Sequence, residues 1–370
     1  MRIATFNVEN LFLRARVMNF DGWDEGKPVL DAHAELTDLL DKPVYTAREK
    51  TRIILLLDRL GLLCRDAGPD VLLRRNPGGL IHRNGDGTVE IVASGRADWI
   101  GHIELVTEPI DGMAVENTAR VIAEVNADIL CVVEAESRTA LREFSETLLP
   151  RVQGQPYENI MLIDGNDARG IDLGLMTRTG YDIGLMRSHV CAEGSNRKVF
   201  SRDCPEYAVH TPRGERIWCL LNHFKSKGCG RPGENDAQRR MQAQQVASYY
   251  RRLRSEGEEL VVVMGDLNDT PGSEPLVPLL EETDLEDIST HPAFSTGEFP
   301  GKGTFGRGND SQKLDHLLLS PALFARVTGG GICRKGAWPG DRDRRWSVFP
   351  GLDRPDHAAS HHHALWADLD

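Results

Sequence analysis

The residues that could do chemistry in this 370-residue chain stand where its apolar runs end. Asn7 closes "RIATFN", Glu134 lies at the end of "DILCVVE", and His223 follows "IWCLLN". Asp266 and Asn268 sit in "LVVVMGDLND", and Asp315 opens "DHLLLS". A single Asn or Glu at a strand end is ordinarily a turn former. A carboxylate interrupting a run fit for burial is different: it needs a cation, a metal or hydrogen-bond donors, or it goes neutral. Several strands ending in Asn, Asp, Glu and His, with no thiolates beside them, define a hard-oxygen site suited to Mg²⁺ or Mn²⁺.

The elements that must position these groups are mostly strands. Apolar runs recur at Arg2, Ile129, Ile171, Ile217, Leu260, Lys313 and Ala364, and helical patterns fall between them. One such pattern follows a Thr46 cap; others run through "ENTARVIAEVNAD", "RTALREFSETLLPR" and residues 235–255. Many strands with few, unequally spaced helices predict an α/β sandwich of two mixed or mostly antiparallel sheets flanked by helices, because strict βαβ alternation is missing. Residues from about 14 to 115 break the rhythm with a polar opening, one strong helix and a hairpin around "NGDG". No linker isolates this stretch, so it reads as an insertion in a single domain, packed near the active-site rim.

The chain ends in "DHAASHHHALWADLD". Leu365, Ala367 and Leu369 alternate with Trp366 and Asp368, which predicts a closing strand with His357, His361, His362 and His363 at its mouth. A purification tag would lie outside the fold, so these histidines read as part of it.

Composition narrows the partners. The formal net charge of −12 argues against holding nucleic acid by bulk electrostatics, although cations concentrate locally between residues 222 and 254. Hydrophobic residues make up 40% of the chain, yet no apolar run reaches the ~18 residues of a membrane span. The N-terminus passes straight into a strand, which predicts a cytoplasmic protein. The seven cysteines form no CxxC, and Cys131 and Cys219 lie in apolar runs as free thiols.

The order "TFNVEN", a strand ending in Glu134, "NHFKSK", "GDLND", "LDHLLLS" and a C-terminal His element resembles the endonuclease/exonuclease/phosphatase superfamily, which includes pancreatic deoxyribonuclease. The likeness covers residues 1–12 and about 118–370. It implies a four-layered α/β sandwich and a metal-dependent phosphoric ester hydrolase. Asn7 and Glu134 would hold the divalent ion. His223 would contact the scissile phosphate. Asp266 would orient or deprotonate the attacking water, Asn268 would position it, and Asp315 would pair with the C-terminal His. "GRADWIGHIEL", "GNDARGIDLG" and "FSRDCPEY" look like a bacterial subgroup.

The family's last motif is Ser-Asp-His shortly before the final strand. Counting back from "LWADL" sets Ser360, His361 and His362 on it, with the literal Asp356-His357 pair as the rival register. His362 is then the catalytic His. His361 replaces a carboxylate near the metal, which removes one negative charge and moves preference toward Mn²⁺. "NHFKSKG" and "LDH" resemble nucleases of the family, with Lys225, Lys227 and Arg231 as phosphate contacts. A small footprint of this kind predicts weak, salt-sensitive binding of nucleic acid. A phosphatase or phosphodiesterase for a small phosphoester is the alternative, and a phosphate-binding protein disabled at His361 the second. No membrane or protein partner is inferred.

Overall fold

The computed structural model describes residues 1–19, 23–75, 79–167, 169–194, 198–227, 232–340 and 345–370; Arg231 lies outside them. The chain divides into two compact units. One holds residues 13–109, and the other holds residues 1–12 with nearly all of the chain from Ile110 onward.

Two mixed sheets face each other in the larger unit. The first has seven strands in the order Phe294–Ser295, Val327–Cys333, Ala364–Leu369, Arg2–Asn7, Ile129–Ala135, Asp172–Thr177 and Asn159–Ile163. The second has six, in the order Asp182–Arg187, Glu206–His210, Arg216–His223, Val261–Asp266, Asp315–Leu319 and Glu286–Asp287. Alternation on the central strands sets the layers. Ile129, Cys131 and Val133 pack with Val262, Met264 and Leu317 between the sheets. Leu130 and Val132 turn outward against the Gly112–Val125 helix, whereas Val261 and Val263 turn outward against Pro232–Ser255. Strands covered on both faces read as continuous apolar runs, which is why these segments stand out in the sequence. The result is a four-layered α/β sandwich.

The topology gathers the polar strand ends. Arg2–Asn7 runs parallel to Ile129–Ala135, and Arg216–His223 runs parallel to Val261–Asp266, so Asn7, Glu134, His223 and Asp266 all lie at C-terminal ends. Asp315 begins an antiparallel strand directly opposite Asp266. Gly265 has φ +132, and a Cβ there would stand 2.0 Å from the Asn222 carbonyl oxygen; the close approach of strands beside Asp266 therefore requires glycine.

A buried ion cluster braces the outer face of the Asp315 strand. Asp287 lies 2.8 Å from Lys313 Nζ and 2.9 Å from His316 Nδ1. Burial pushes the Asp287 carboxyl up, but the Lys313 ammonium and the contact with His316 outweigh it and hold it well below the usual carboxylate range. A depressed carboxylate contributes stability above its unfolded value of about 4, and that contribution is lost as pH falls below it. Asp287→Asn, which leaves the buried Lys313 without a counter-charge, is expected to cost about 3–5 kcal/mol at pH 7 and to flatten the acid limb. Urea melts of both proteins from pH 7 to pH 3 check this.

The smaller unit has its own core, including Leu36, Ile53, Leu57, Val71, Trp99 and Ile103. The Ala47–Arg59 helix starts from a Thr46–Glu49 capping box, and the Ile81–Arg83 and Val89–Ile91 strands pair across "NGDG". The stretch read from sequence as a polar opening contains an 18-residue helix, Trp23–Leu40. Its buried stripe of Leu30, His33, Leu36 and Leu40 includes a histidine, which masked the apolar period. Among the described residues no helix is long and apolar enough to cross a membrane.

Candidate active site

Asp266 is buried at the centre of the polar strand ends. Its Oδ2 receives hydrogen bonds from Asn7 Nδ2 at 3.2 Å and Asn268 Nδ2 at 3.1 Å, while the Asn268 backbone N–H donates to Oδ1 at 2.8 Å. His223 Nε2 lies 3.7 Å and His362 Nε2 3.8 Å from the same oxygen. Burial, opposed by the charge of His362 and reinforced by that of Asp315, raises the Asp266 carboxyl to about 7. A group so poised can accept a proton near neutral pH.

Glu134 reaches this centre through a departure from regular strand geometry. Opposite it, Asp172 pairs with Ala135 and Leu173 with Val133, so Glu134 is skipped in the ladder as a bulge. Its φ is +65°, in the left-handed region that non-glycine residues rarely enter. Asn268 is also left-handed, at φ +52°. Backbone in such conformations persists where the surroundings hold it, and here it re-aims site residues. Glu134 Oε1 stands 3.6 Å from His223 Nε2, whereas its buried Oε2 has no hydrogen-bond partner.

The two histidines beside Asp266 differ in charge state. Burial and the nearby Arg202 and Arg169 guanidinium groups push His223 well below its usual value, leaving it neutral. Burial opposes protonation of His362 too, but the charge of Asp315 and its hydrogen bond overcome it, and His362 rises to about 10. The bond itself runs from His362 Nδ1 to Asp315 Oδ2 at 2.8 Å. His357 does not reach Asp315; its Nδ1 bonds the Gly351 carbonyl at 2.9 Å.

Other expected members have contacts of their own. His361 is 65% exposed, and its Nδ1 lies 2.9 Å from Glu9 Oε2. That pairing with Glu9 is one the sequence did not suggest. Asn7 offers the cluster a donor, since its Oδ1 accepts the Glu9 N–H at 3.0 Å. Lys227 is half-exposed and paired with Asp269, and the Lys225 backbone N–H donates to Gln242 Oε1 at 2.9 Å.

Sequence reasoning missed Arg202. Its side chain is 3% exposed, with Nε 3.0 Å from Asp167 Oδ2, and Arg169 grips the same carboxylate at 2.9 and 2.8 Å. Arg202 Nη1 also donates to the Phe224 carbonyl at 3.4 Å, the oxygen that Asn268 Nδ2 bonds at 3.1 Å. "FSRDCPEY" and "GNDARG" carried the signal, but nothing local in them says that they meet.

A divalent ion fits this donor set. The orphaned, buried Glu134 Oε2 is a hard oxygen that wants a cation. Asp266, Asp315 and His362 also offer ligand atoms within 4.8 Å of one another. In that trio Asp315 Oδ2 is engaged by His362 Nδ1, whereas Asp315 Oδ1, like Glu134 Oε2, is buried without a hydrogen-bond partner. Glu134, with Asp266 beside it, would hold the ion.

Residues 109–330 match the Endonuclease/Exonuclease/phosphatase family. The chain belongs to that family. It is a phosphoester-cleaving enzyme. Solved structures of the endonuclease/exonuclease/phosphatase fold agree with the architecture. The mannosyl-6-phosphatase of Bacteroides thetaiotaomicron is 16% identical, with a TM-score of 0.51 over 70% of this chain and 92% of its own. An endonuclease/exonuclease/phosphatase family protein from Bacteroides thetaiotaomicron is 16% identical, with a TM-score of 0.50 over 70% of this chain and 89% of its own. No curated protein matches the sequence. The family match ends before His362 and begins after Asn7, so the two strands that complete the site lie beyond it.

Proposed function

We propose that this enzyme is a Mg²⁺- or Mn²⁺-dependent phosphodiesterase, with nucleic acid as its first substrate class. The observation that carries the reading is the buried Asp266 Oδ2, bonded by Asn7 and Asn268 and approached by His223 at 3.7 Å and His362 at 3.8 Å. Asp266 would take the proton of an attacking water, which Asn7 and Asn268 orient through the bonds that fix the carboxylate. His223 and His362 would face the phosphoryl oxygens as donors, one neutral and one charged, stabilising negative charge as it develops. Glu134 would hold the ion, which when bound supplies a Lewis acid for a phosphoryl oxygen.

A second reading, hydrolysis of a small phosphoester, is favoured by the pairing of Lys227 with Asp269 and by the net charge of −12, which leave a modest footprint for a polyanion. Metal-stripped protein should be inactive and should recover with Mg²⁺ or Mn²⁺. Assays on plasmid DNA, single-stranded DNA, RNA, bis-p-nitrophenyl phosphate and p-nitrophenyl phosphate then divide the readings. Cleavage of polymer and diester supports the first, and turnover of monoester alone the second. Inactivity with every metal refutes both.

His361→Asp would set a second carboxylate against Glu9. It is expected to lower the Mg²⁺ concentration for half-maximal rate. Unchanged metal dependence would show that this position lies outside the ion's reach.

A further inference from the structure

Thr304 touches both sides of the Asp315–His362 pair. It is fully buried in a glycine-rich loop. Its hydroxyl accepts the backbone N–H groups of Leu314 at 3.1 Å and Asp315 at 2.9 Å. Its carbonyl accepts the His363 N–H at 2.7 Å, and its own N–H donates to the Gln312 carbonyl at 3.0 Å. The next residue, Phe305, forms a β-bridge with His362, and its ring meets the imidazole edge-on at 4.8 Å. Gly306 N–H donates to the His361 carbonyl at 2.8 Å. One short segment therefore ties the backbone of Asp315 to the backbone around His362, two positions 47 residues apart.

This segment lacks a regular ladder along most of its length, and a buried arginine holds it instead. Arg334 Nη1 donates to the Thr296 carbonyl at 2.8 Å, and Nη2 donates to those of Gly301 at 2.5 Å and Gly303 at 3.1 Å. Among the described residues no carboxylate pairs with Arg334, and its Nε has no hydrogen-bond partner. The loop is closely packed around these contacts, since a Cβ on Gly303 would lie 2.1 Å from the Asn309 carbonyl oxygen. A buried cation without a counter-charge is costly. Here it fixes three carbonyls of the loop that reaches the catalytic pair.

We propose that Thr304 is a positioning residue for the Asp315–His362 pair, anchored through its loop by Arg334. The hydroxyl sets where the Asp315 strand begins, and that start sets the line of the carboxylate toward His362 Nδ1. The activity arm of the test rests on the hydrolase reading above; the spectroscopic arm does not.

Thr304→Val keeps the shape and removes the acceptor, whereas Thr304→Ser keeps the acceptor. Thr304→Val is expected to lower kcat by about 10–100-fold, the usual range for losing a partner that orients a site residue. KM should be unchanged. Thr304→Ser should restore the rate. In ¹H NMR the Asp315-bound His362 N–H resonance, assigned by its loss in Asp315→Asn, should shift in the Val variant and stay in the Ser variant. If Thr304→Val does not fold, Thr304→Cys, with a weakly accepting sulfur, carries the same comparison. Wild-type kcat in a folded Val or Cys variant overturns the proposal. So does an equal defect in Thr304→Ser, or an unmoved resonance beside a lowered Tm, which would mark a purely structural role. If the native protein hydrolyses no phosphoester, the functional reading alone fails, and the resonance still decides the role of Thr304.

Discussion

Asp315→Asn is expected to lower kcat by about 10²–10⁴-fold, the range associated with losing an oriented acid–base group. The change is nearly isosteric, so the fold has little reason to rearrange. What it removes is the charge that faces His362 Nδ1 at 2.8 Å. Without that charge, burial dominates, and His362 should fall from about 10 toward or below its ordinary value of 6.5. An amide can also present its NH₂ to Nδ1, which would reverse the tautomer and leave Nε2 carrying the wrong proton state. The stability consequence has a defined sign. A histidine raised in the folded state contributes stability that is fully present below about 6.5 and is lost as pH rises through about 10. The gap in Tm between native and variant proteins should therefore be widest below neutral pH and close in alkali. Steady-state kinetics and a pH series of thermal melts test both parts. A variant with native kcat would remove the His362 charge state from the mechanism.

Asp266→Ala is expected to cost at least about 10²-fold in kcat. Among the described residues Asp266 is the one carboxylate approached by both His223 and His362, and two asparagine amides hold its Oδ2. Alanine deletes the proton acceptor and releases those amides together. The measurement is kcat with bis-p-nitrophenyl phosphate at saturating metal, alongside binding of inorganic phosphate by calorimetry. Loss of turnover with phosphate binding retained assigns the carboxylate to chemistry. Native turnover would move water activation elsewhere, and an inactive native protein whose phosphate affinity ignores the substitution would be a binder.

Arg202 enters the same account from behind. Both Arg202 and Asn268 bond the Phe224 carbonyl, so the backbone just past His223 is fixed from two directions. The same guanidinium helps keep His223 neutral. Asp167 makes this tolerable by neutralising part of the charge of two arginines, which hold it well below the usual carboxylate range despite its burial.

Local pattern alone was enough to pick out Asn7, Glu134, His223, Asp266, Asn268 and Asp315. A strand repeats every two residues, so a costly polar group at the end of an apolar run is conspicuous without any knowledge of its neighbours. The architecture of facing sheets with outer helices was legible for the same reason, because strands covered on both faces read as unbroken apolar runs. The choice of His362 over His357 came instead from the resemblance, by counting back from the last strand onto the family's Ser-Asp-His motif.

Tertiary structure alone decided the rest. The bulge at Glu134 exists only in its pairing with Asp172 and Leu173, and it determines where the carboxylate points. Whether a histidine is neutral or charged depends on partners distant in sequence: Arg202 and Arg169 for His223, Asp315 for His362. His361, expected at the metal, has its Nδ1 on Glu9, 352 residues away. Thr304 looks in the sequence like any loop threonine, and its importance appears only when Asp315 and His363 are both found on it. Residue type and spacing report what a side chain can do; its charge, aim and partner are fixed by groups that chain separation hides.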